Sequence, residues 1–286
     1  MTTRLVGIAT CHRLPEPDVD QERLLSALAG AGVKAEMAPW DDPAVDWRRF
    51  EMVVIRSTWN YIQYLEAFLA WVDRAAAATR LYNPAPVVRW NCHKSYLRDL
   101  ERAGTLVVPT VWLDRGASAS LAAIMDERGW DQVVIKPQVG AGSFKTERFD
   151  RSQLAHGEAF LATLVQQREV MVQPYLRSVE GYGERSLIWI DGELTHAIRK
   201  SPRLGDAPEQ VSEAMPIADD ERRLAEGLMA TRGQGLLYGR VDLARDDGGV
   251  CRVMELELVE PSLFLRQGPT ALDRLAQGVR IRLVDG

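Results

Sequence analysis

The sequence predicts a mixed protein, α/β in its first part and α+β in the remainder: a small parallel α/β domain followed by a longer region in which strands dominate. Three observations carry this. Between Leu5 and Ile55, short apolar runs alternate with helix signals, the pattern of a sheet whose strands are joined by helical crossovers. From Leu81 to Pro86 the composition turns to Asn and Pro, which marks a linker and a domain boundary. Beyond Val170, most apolar segments have strand length. With 286 residues, against roughly 150 per domain, the chain has room for about two domains or one large composite unit.

Taken in order, Leu5 to Ala9 reads as a buried strand, and a helix from about Asp18 carries Leu24, Leu25 and Leu28 on one face, with Gly32 as its stop. Val33 to Met37 and Met52 to Ile55 are the next strands. The third ends in Arg56-Ser57-Thr58-Trp59-Asn60-Tyr61, which is a pocket wall at the carboxyl end of a parallel strand, a helix start capped by Ser57 or Thr58, or both. After the linker, Asn91 to Ala103 predicts one helix with Leu97 and Leu100 inward and Gly104 as its end. A helix over Ala119 to Arg128 and a strand over Gln132 to Ile135 follow. Later strands are expected at Val170 to Gln173, Ser186 to Ile190, Glu193 to Arg199, Tyr238 to Ala244 and Val250 to Val259. The segment Asp219 to Arg232 opens with acids and closes on Arg232-Gly233, as a helix dipole prefers.

Composition narrows the function. The 35 basic and 40 acidic side chains leave a net charge of −5, without the positive field that a phosphate backbone requires, so nucleic acid is not expected as a partner. Apolar runs such as Leu161 to Val165 are far shorter than the ~20 residues of a membrane-spanning helix, and no basic-then-apolar leader opens the chain, so no membrane and a cytoplasmic location are expected. The three cysteines fit a reducing compartment. The pairs Cys11-His12 and Cys92-His93 lack zinc-ligand spacing. Eight tryptophans suit a core better than an interface, although a homodimer is compatible with them.

Two segments carry chemistry. The strand Val133-Val134-Ile135 runs into Lys136-Pro137 and then Gly140-Ala141-Gly142-Ser143-Phe144-Lys145-Thr146. Glycines let backbone N–H groups approach an anion and lysines neutralise it, so the stretch reads as a phosphate loop or as a plain hairpin turn. It is not a Walker A loop, because Phe144 stands where that motif needs glycine. Further on, Asp242, the turn Asp246 to Gly249, and Met254-Glu255-Leu256-Glu257-Leu258 read as a hairpin. Strand alternation then puts Glu255 and Glu257 on one face, with Asp242 opposite them. The carboxylates either gather around a hard cation or face water. Between these segments, Met171-Val172-Gln173-Pro174-Tyr175-Leu176 could frame an adenine, and an acid beyond it, Glu180 or Glu184, could accept from ribose hydroxyls.

The order of these segments resembles the ATP-grasp superfamily from about Asn83 to Leu265. Carrying the resemblance are Lys94 in NCHKSYLRDLERAG, Lys136 in VVIKP, the hinge MVQPYL, the hairpin GERSLIWIDGEL, and Asp242 with Glu255 and Glu257. IRSTWNY, NPAPVVRWN and ELELVEPSLFL look closest to the glutathione synthetase-like branch, which includes the O-ureido-D-serine cyclo-ligases. The resemblance implies an N-terminal parallel α/β domain over residues 1–88 on the substrate side. A central subdomain with a glycine-rich lid would cover 89–175, and a C-terminal subdomain with a metal site 176–286.

It further implies that Lys94 and Lys136 contact nucleotide phosphates, that Gly140, Gly142 and Ser143 close over them, and that Gln173, Tyr175 and Leu176 frame adenine largely through their backbone. Glu180 or Glu184 would bind ribose. Asp242, Glu255 and Glu257 would hold Mg2+, with Mn2+ as a substitute, and Arg199 or Lys200 would steady an acyl phosphate. Glu257 stands where relatives often carry Asn, and Gly205-Asp206 is not followed by the arginine that relatives commonly have. Arg56, Trp59, Arg203 and Ser262 are the candidates for lining a substrate pocket.

The activity implied is an ATP-dependent carboxylate–amine ligase that forms an amide through an acyl phosphate, on an amino acid or small peptide. The alternatives are a cyclo-ligase acting on an amino-acid derivative, and a regulatory module that binds ATP without turnover.

Overall fold

A computed structural model describes residues 4–201 and 210–285. Twelve strands form three four-stranded sheets, one in each of the three expected regions. The first is parallel, in the order β2-β1-β3-β4, from β1 (Leu5–Thr10), β2 (Lys34–Pro39), β3 (Met52–Ser57) and β4 (Arg80–Tyr82). Helix α1 (Gln21–Gly30) buries Leu24 and Leu28 against one face, and Gly32 turns the chain back at a φ of 76°. Helix α2 (Leu65–Ala78) buries Phe68, Trp71, Val72 and Ala75 on the other face. There Trp40 and Trp47 pack around Trp71, and Trp40 meets Phe68 edge-on at 5.2 Å.

Two expectations at the end of this domain need correcting. The segment Leu81 to Pro86 is not a linker: its start is β4, paired with β3, and its end opens helix α3 (Ala85–Asn91). Asn83 between them is fully buried and bonds Tyr238 O (2.9 Å), Leu258 O (2.7 Å) and Leu237 N (3.0 Å), tying the domain to the last sheet. A turn composition marks a change of direction, and here that change is packed. Nor does Ser57 or Thr58 cap a helix. Ser57 ends β3 against Thr10, Thr58 is buried, and the next turn starts after Asn60.

The expected helix over Asn91 to Ala103 is two helices, α3 and α4 (Tyr96–Arg102), with a turn at Cys92–Ser95 between them. Leu97 and Leu100 do point inward, and Gly104 ends the helix at a φ of 88°. The second sheet, β5-β8-β6-β7, is antiparallel: β5 (Val111–Leu113), β6 (Gln132–Pro137), β7 (Glu147–Asp150) and β8 (Val170–Pro174). It is backed by α5 (Leu121–Arg128) and α6 (Leu154–Gln167), whose Leu161, Leu164 and Val165 join its core. The short helix α7 (Ser178–Gly181) leads into the third sheet, β10-β9-β11-β12. That sheet comprises β9 (Glu184–Ile190), β10 (Glu193–Lys200), β11 (Tyr238–Arg245) and β12 (Cys251–Glu257). One face is covered by α8 (Asp219–Arg232) together with α4. The last helix, α9 (Pro269–Asp285), returns to pack against α1 and the first sheet.

None of the helices among the described residues is long and apolar enough to cross a membrane. At the base of the third sheet, His196 bonds Phe264 O (3.1 Å), and a Cβ on Gly268 would come within 2.4 Å of its ring.

Two outcomes follow. Asn83→Ala strands a buried N–H and two carbonyls, so urea unfolding should show a loss of about 2–4 kcal/mol. Burial lowers the His196 pKa below its ordinary value of 6.5. Its contribution to stability is therefore complete above that value and is lost as pH falls through it. Stability measured between pH 8 and 5 should fall less steeply in His196→Gln.

Candidate active site

The hairpin of β11 and β12 forms the floor of the site. Asp242 stands directly opposite Glu255, and Arg240 opposite Glu257, while Ser186 of β9 flanks Asp242 on the other side. Alternation sends Val241, Leu243 and Leu256 to the opposite face, where they are fully buried beneath α8. The carboxylates share one face, as expected; Asp242 is buried at 1% exposure, while Glu255 and Glu257 are partly exposed.

Each carboxylate is held by cations from other elements. Glu255 receives Lys94 Nζ at 2.7 Å and Lys136 Nζ at 2.9 Å, one on each oxygen. Lys136 comes from β6. Lys94 comes from the turn that divides α3 from α4, where its N–H donates to Gln138 O at 2.8 Å. A continuous helix there would have carried Lys94 along its own axis, so the break is what aims it. Asp242 accepts from Arg240, from Ser186 Oγ (2.6 Å) and from Lys200 Nζ (3.1 Å), and Arg240 Nη2 also reaches Glu257 (2.5 Å). Lys200 pairs with Glu184 as well.

Burial by itself would raise the Glu255 carboxyl, but Lys94 and Lys136 outweigh it and hold the group far below the ordinary range; Arg240 and Lys200 do the same for Asp242. Glu257 goes the other way. Its burial, with only partial relief from Arg240 and with repulsion from Asp242 and Glu255, pushes it up to about 7.

Arg240 was not singled out in the sequence. Its position two residues before Asp242 on a strand was the available signal, since period two places both on one face. The pair expected to steady an acyl phosphate is split by the same alternation. Lys200 lies among the carboxylates, whereas Arg199 is directed away from them, with Nη1 3.4 Å from Gly181 O.

The two ribose candidates also part company. Glu184 is engaged with Lys200, whereas exposed Glu180 accepts from Tyr175 Oη (3.0 Å) and Arg148 (2.8 Å). Along the proposed adenine frame, Gln173 donates to Thr110 Oγ1 (2.8 Å) and Leu176 is buried. Tyr175 N–H already donates to Gln132 O (2.9 Å), so it is not a group that can face a base.

The glycine-rich segment is a hairpin loop between β6 and β7, which leaves a phosphate role open as well. Gly142, Ser143 and Lys145 all have positive φ, and Phe144 lies under the Arg168 guanidinium at 5.1 Å, against the core of the first domain. Gly140 sits at its start, beside Pro137.

Three of the substrate candidates converge beyond β12. Trp59 Nε1 donates to Glu260 O (3.1 Å), Arg56 Nη1 to Pro261 O (2.9 Å), and Ser262 O accepts from Arg240 Nη1 (3.1 Å). Arg203 lies outside the described residues.

Asp242, Glu255 and Glu257 are hard oxygen donors on adjacent strands, so their chemistry fits Mg2+. As they stand, their oxygens are engaged by lysine and arginine, and no group of three acidic, histidine or cysteine side chains among the described residues converges to hold a metal ion.

Comparison with known proteins bears on this geometry. Residues 6–83 match the family described as the N-terminal domain of D-cycloserine synthetase DcsG. The cycloserine biosynthesis protein DcsG of Streptomyces lavendulae is 36% identical over 283 residues, which cover 93% of this chain and 94% of the relative. The chain belongs to the DcsG family of ATP-grasp ligases. The crystal structure of D-cycloserine synthetase DcsG superposes with a TM-score of 0.88 at 35% identity, over 98% of this chain and 99% of that one. D-alanine–D-alanine ligase from Bacillus anthracis, complexed with ATP, shares the fold at a TM-score of 0.66 and 14% identity, over 99% and 100% of the two chains.

This DcsG-family protein is thus an ATP-dependent carbon–nitrogen ligase of ATP-grasp fold.

For such a ligase, Glu255→Gln should reduce turnover by about 10²–10³-fold, in steady-state ADP release at saturating magnesium, with the fold retained in circular dichroism. Lys136→Ala should weaken ATP binding about tenfold, some 1.4 kcal/mol, read by calorimetry.

Proposed function

We propose that this ligase closes an amino-acid derivative of the O-ureido-D-serine type on itself. The observation that carries the reading is that Arg56 and Trp59, which bond the carbonyls of Pro261 and Glu260 just beyond β12, lie in the segment that matches the D-cycloserine synthetase N-terminal domain.

In this reading a carboxylate oxygen of the substrate attacks the γ-phosphorus of ATP, and ADP leaves. A nitrogen of the same molecule then attacks the acyl carbon, gives up its proton, and phosphate departs. Little covalent chemistry is asked of the protein; positioning and charge neutralisation supply the rate. Lys94 and Lys136 exchange Glu255 for phosphate oxygens. Lys200 and Arg240 face the developing acyl phosphate, in place of Arg199. Gly140, Gly142 and Ser143 cover the phosphates and keep out water, which would otherwise hydrolyse the acyl phosphate. Gln173, Tyr175 and Leu176 frame adenine, and Glu180, bonded to Tyr175, is the acid placed for ribose. Asp242, Glu255 and Glu257 would hold Mg2+, or Mn2+ in its place. A divalent cation bound there spreads the phosphate charge during transfer.

The test is ADP and phosphate release across amino acids and O-substituted serines, offered singly and in pairs. Release with O-ureido-D-serine alone is the expected result. Release that requires two compounds would overturn ring closure in favour of intermolecular ligation.

A further inference from the structure

The segment after β12 is unusually constrained. Three successive carbonyls are each held by a side chain, Glu260 O by Trp59, Pro261 O by Arg56 and Ser262 O by Arg240, and the Tyr238 hydroxyl, whose one proton is shared with Ile55 O, lies 2.8 Å from Val259 O just before them. Two of these side chains come from the end of the first sheet and two from β11. The result is a rigid strap across the junction of the two domains. A strap held this way fixes where its side chains point, which is what a recognition element requires.

Glu260 is the acidic side chain on that strap, and it is 7% exposed. The other carboxylates buried to a similar degree are all satisfied. Asp20 accepts from the backbone N–H groups of Leu265 and Arg266, Glu221 from Arg185 and Tyr182, and Asp242 from Arg240, Lys200 and Ser186. For Glu260, none of the described residues forms an ion pair with the carboxylate. Its charged surroundings are those of the reaction centre, with Glu257, Lys94 and Arg240 acting on it, and burial with Glu257 pushes its carboxyl up to about 8. An acid in this condition lacks a cation. Arg56, which grips the same strap, likewise keeps a buried Nε without a partner.

We infer that Glu260 receives the ammonium group of the substrate amino acid, fixing the α-carbon so that the neighbouring carboxylate lies toward Lys94 and the phosphates. The assignment rests on the proposed substrate being an amino-acid derivative. Everywhere else on this face an ammonium would meet Lys94, Lys136, Lys200 or Arg240, whose own carboxylates are already taken. Among the described residues Glu260 is the one acid at this site without an ion pair, and so it is where a positive group gains most.

The test is calorimetric binding, with AMPPNP and Mg2+ present, of O-ureido-D-serine and of its counterpart lacking the α-amino group, 3-(ureidooxy)propanoate. The wild-type protein should bind the amino compound at least tenfold more tightly. Glu260→Gln should abolish that preference by weakening only the amino compound. The substitution keeps the shape of the side chain and replaces a buried carboxyl that has no ion-pair partner among the described residues, so its melting temperature should not fall. Equal binding of the two compounds by wild type, binding of neither, or an undiminished preference in Glu260→Gln would each overturn the assignment. ADP release by wild type with O-ureido-D-serine tests ring closure separately. Turnover without discrimination discards Glu260 and keeps ring closure, whereas discrimination without turnover does the reverse.

Discussion

Glu255, held between the ammonium groups of Lys94 and Lys136, is the interaction on which the rest of the arrangement depends. It joins three separately built parts: β12 of the last sheet, β6 of the central sheet and the turn between α3 and α4. Buried ion pairs of this kind add little net stability, because desolvating the charges offsets most of their attraction. The two lysines are therefore better understood as cations that Glu255 keeps in place, as their proposed role toward phosphate requires, than as contributors to stability. On the other side of the hairpin, Asp242 does the same for Arg240 and Lys200. The face carries nearly balanced charge while dense in both signs, and an arriving polyanion can rearrange it without exposing a bare buried cation.

The first domain is fastened to this centre rather than tethered to it. Asn83 bonds three backbone groups of the last sheet, and Tyr238 Oη reaches back to Ile55 O and Val259 O. Helix α9 crosses from the last sheet to pack against α1. The ends of the parallel strands, where open α/β sheets present ligand-binding groups, are thereby fixed against the strap that carries Glu260.

Much of the fold was legible because burial has a period. The first three strands of the first sheet and the strands of the third follow from apolar spacing, as does the shared face of Glu255 and Glu257, and the helix Asp219–Arg232 follows from its acidic start and its Arg232-Gly233 end. Where packing overrides local signals, the reading fell short. The Asn and Pro at 83–86 mark a turn in any protein, but only the buried partners of Asn83 make it a junction. The division of α3 from α4 leaves no Gly or Pro between Asn91 and Ser95 to announce it. Helices α6 and α9 were not anticipated, and their apolar faces became interpretable only against the sheets they cover. Arg199 and Lys200 could not be separated until the strand phase was known.

By itself, the sequence determined the parallel α/β character of the first region, the strand-rich character of the last and the carboxylate hairpin. Each depends on residue type and on spacings of a few positions, which local backbone geometry translates directly into shared faces. Only the tertiary structure decided which cation meets which carboxylate, that Arg240 belongs among them, and that Glu260 meets none among the described residues. The pairs of Glu255 depend on approaches between residues more than a hundred positions apart in the chain and those of Asp242 and Glu257 on how neighbouring strands align, and burial converts them into energy: in water an unpaired acid is ordinary, whereas buried in a strap it calls for a partner.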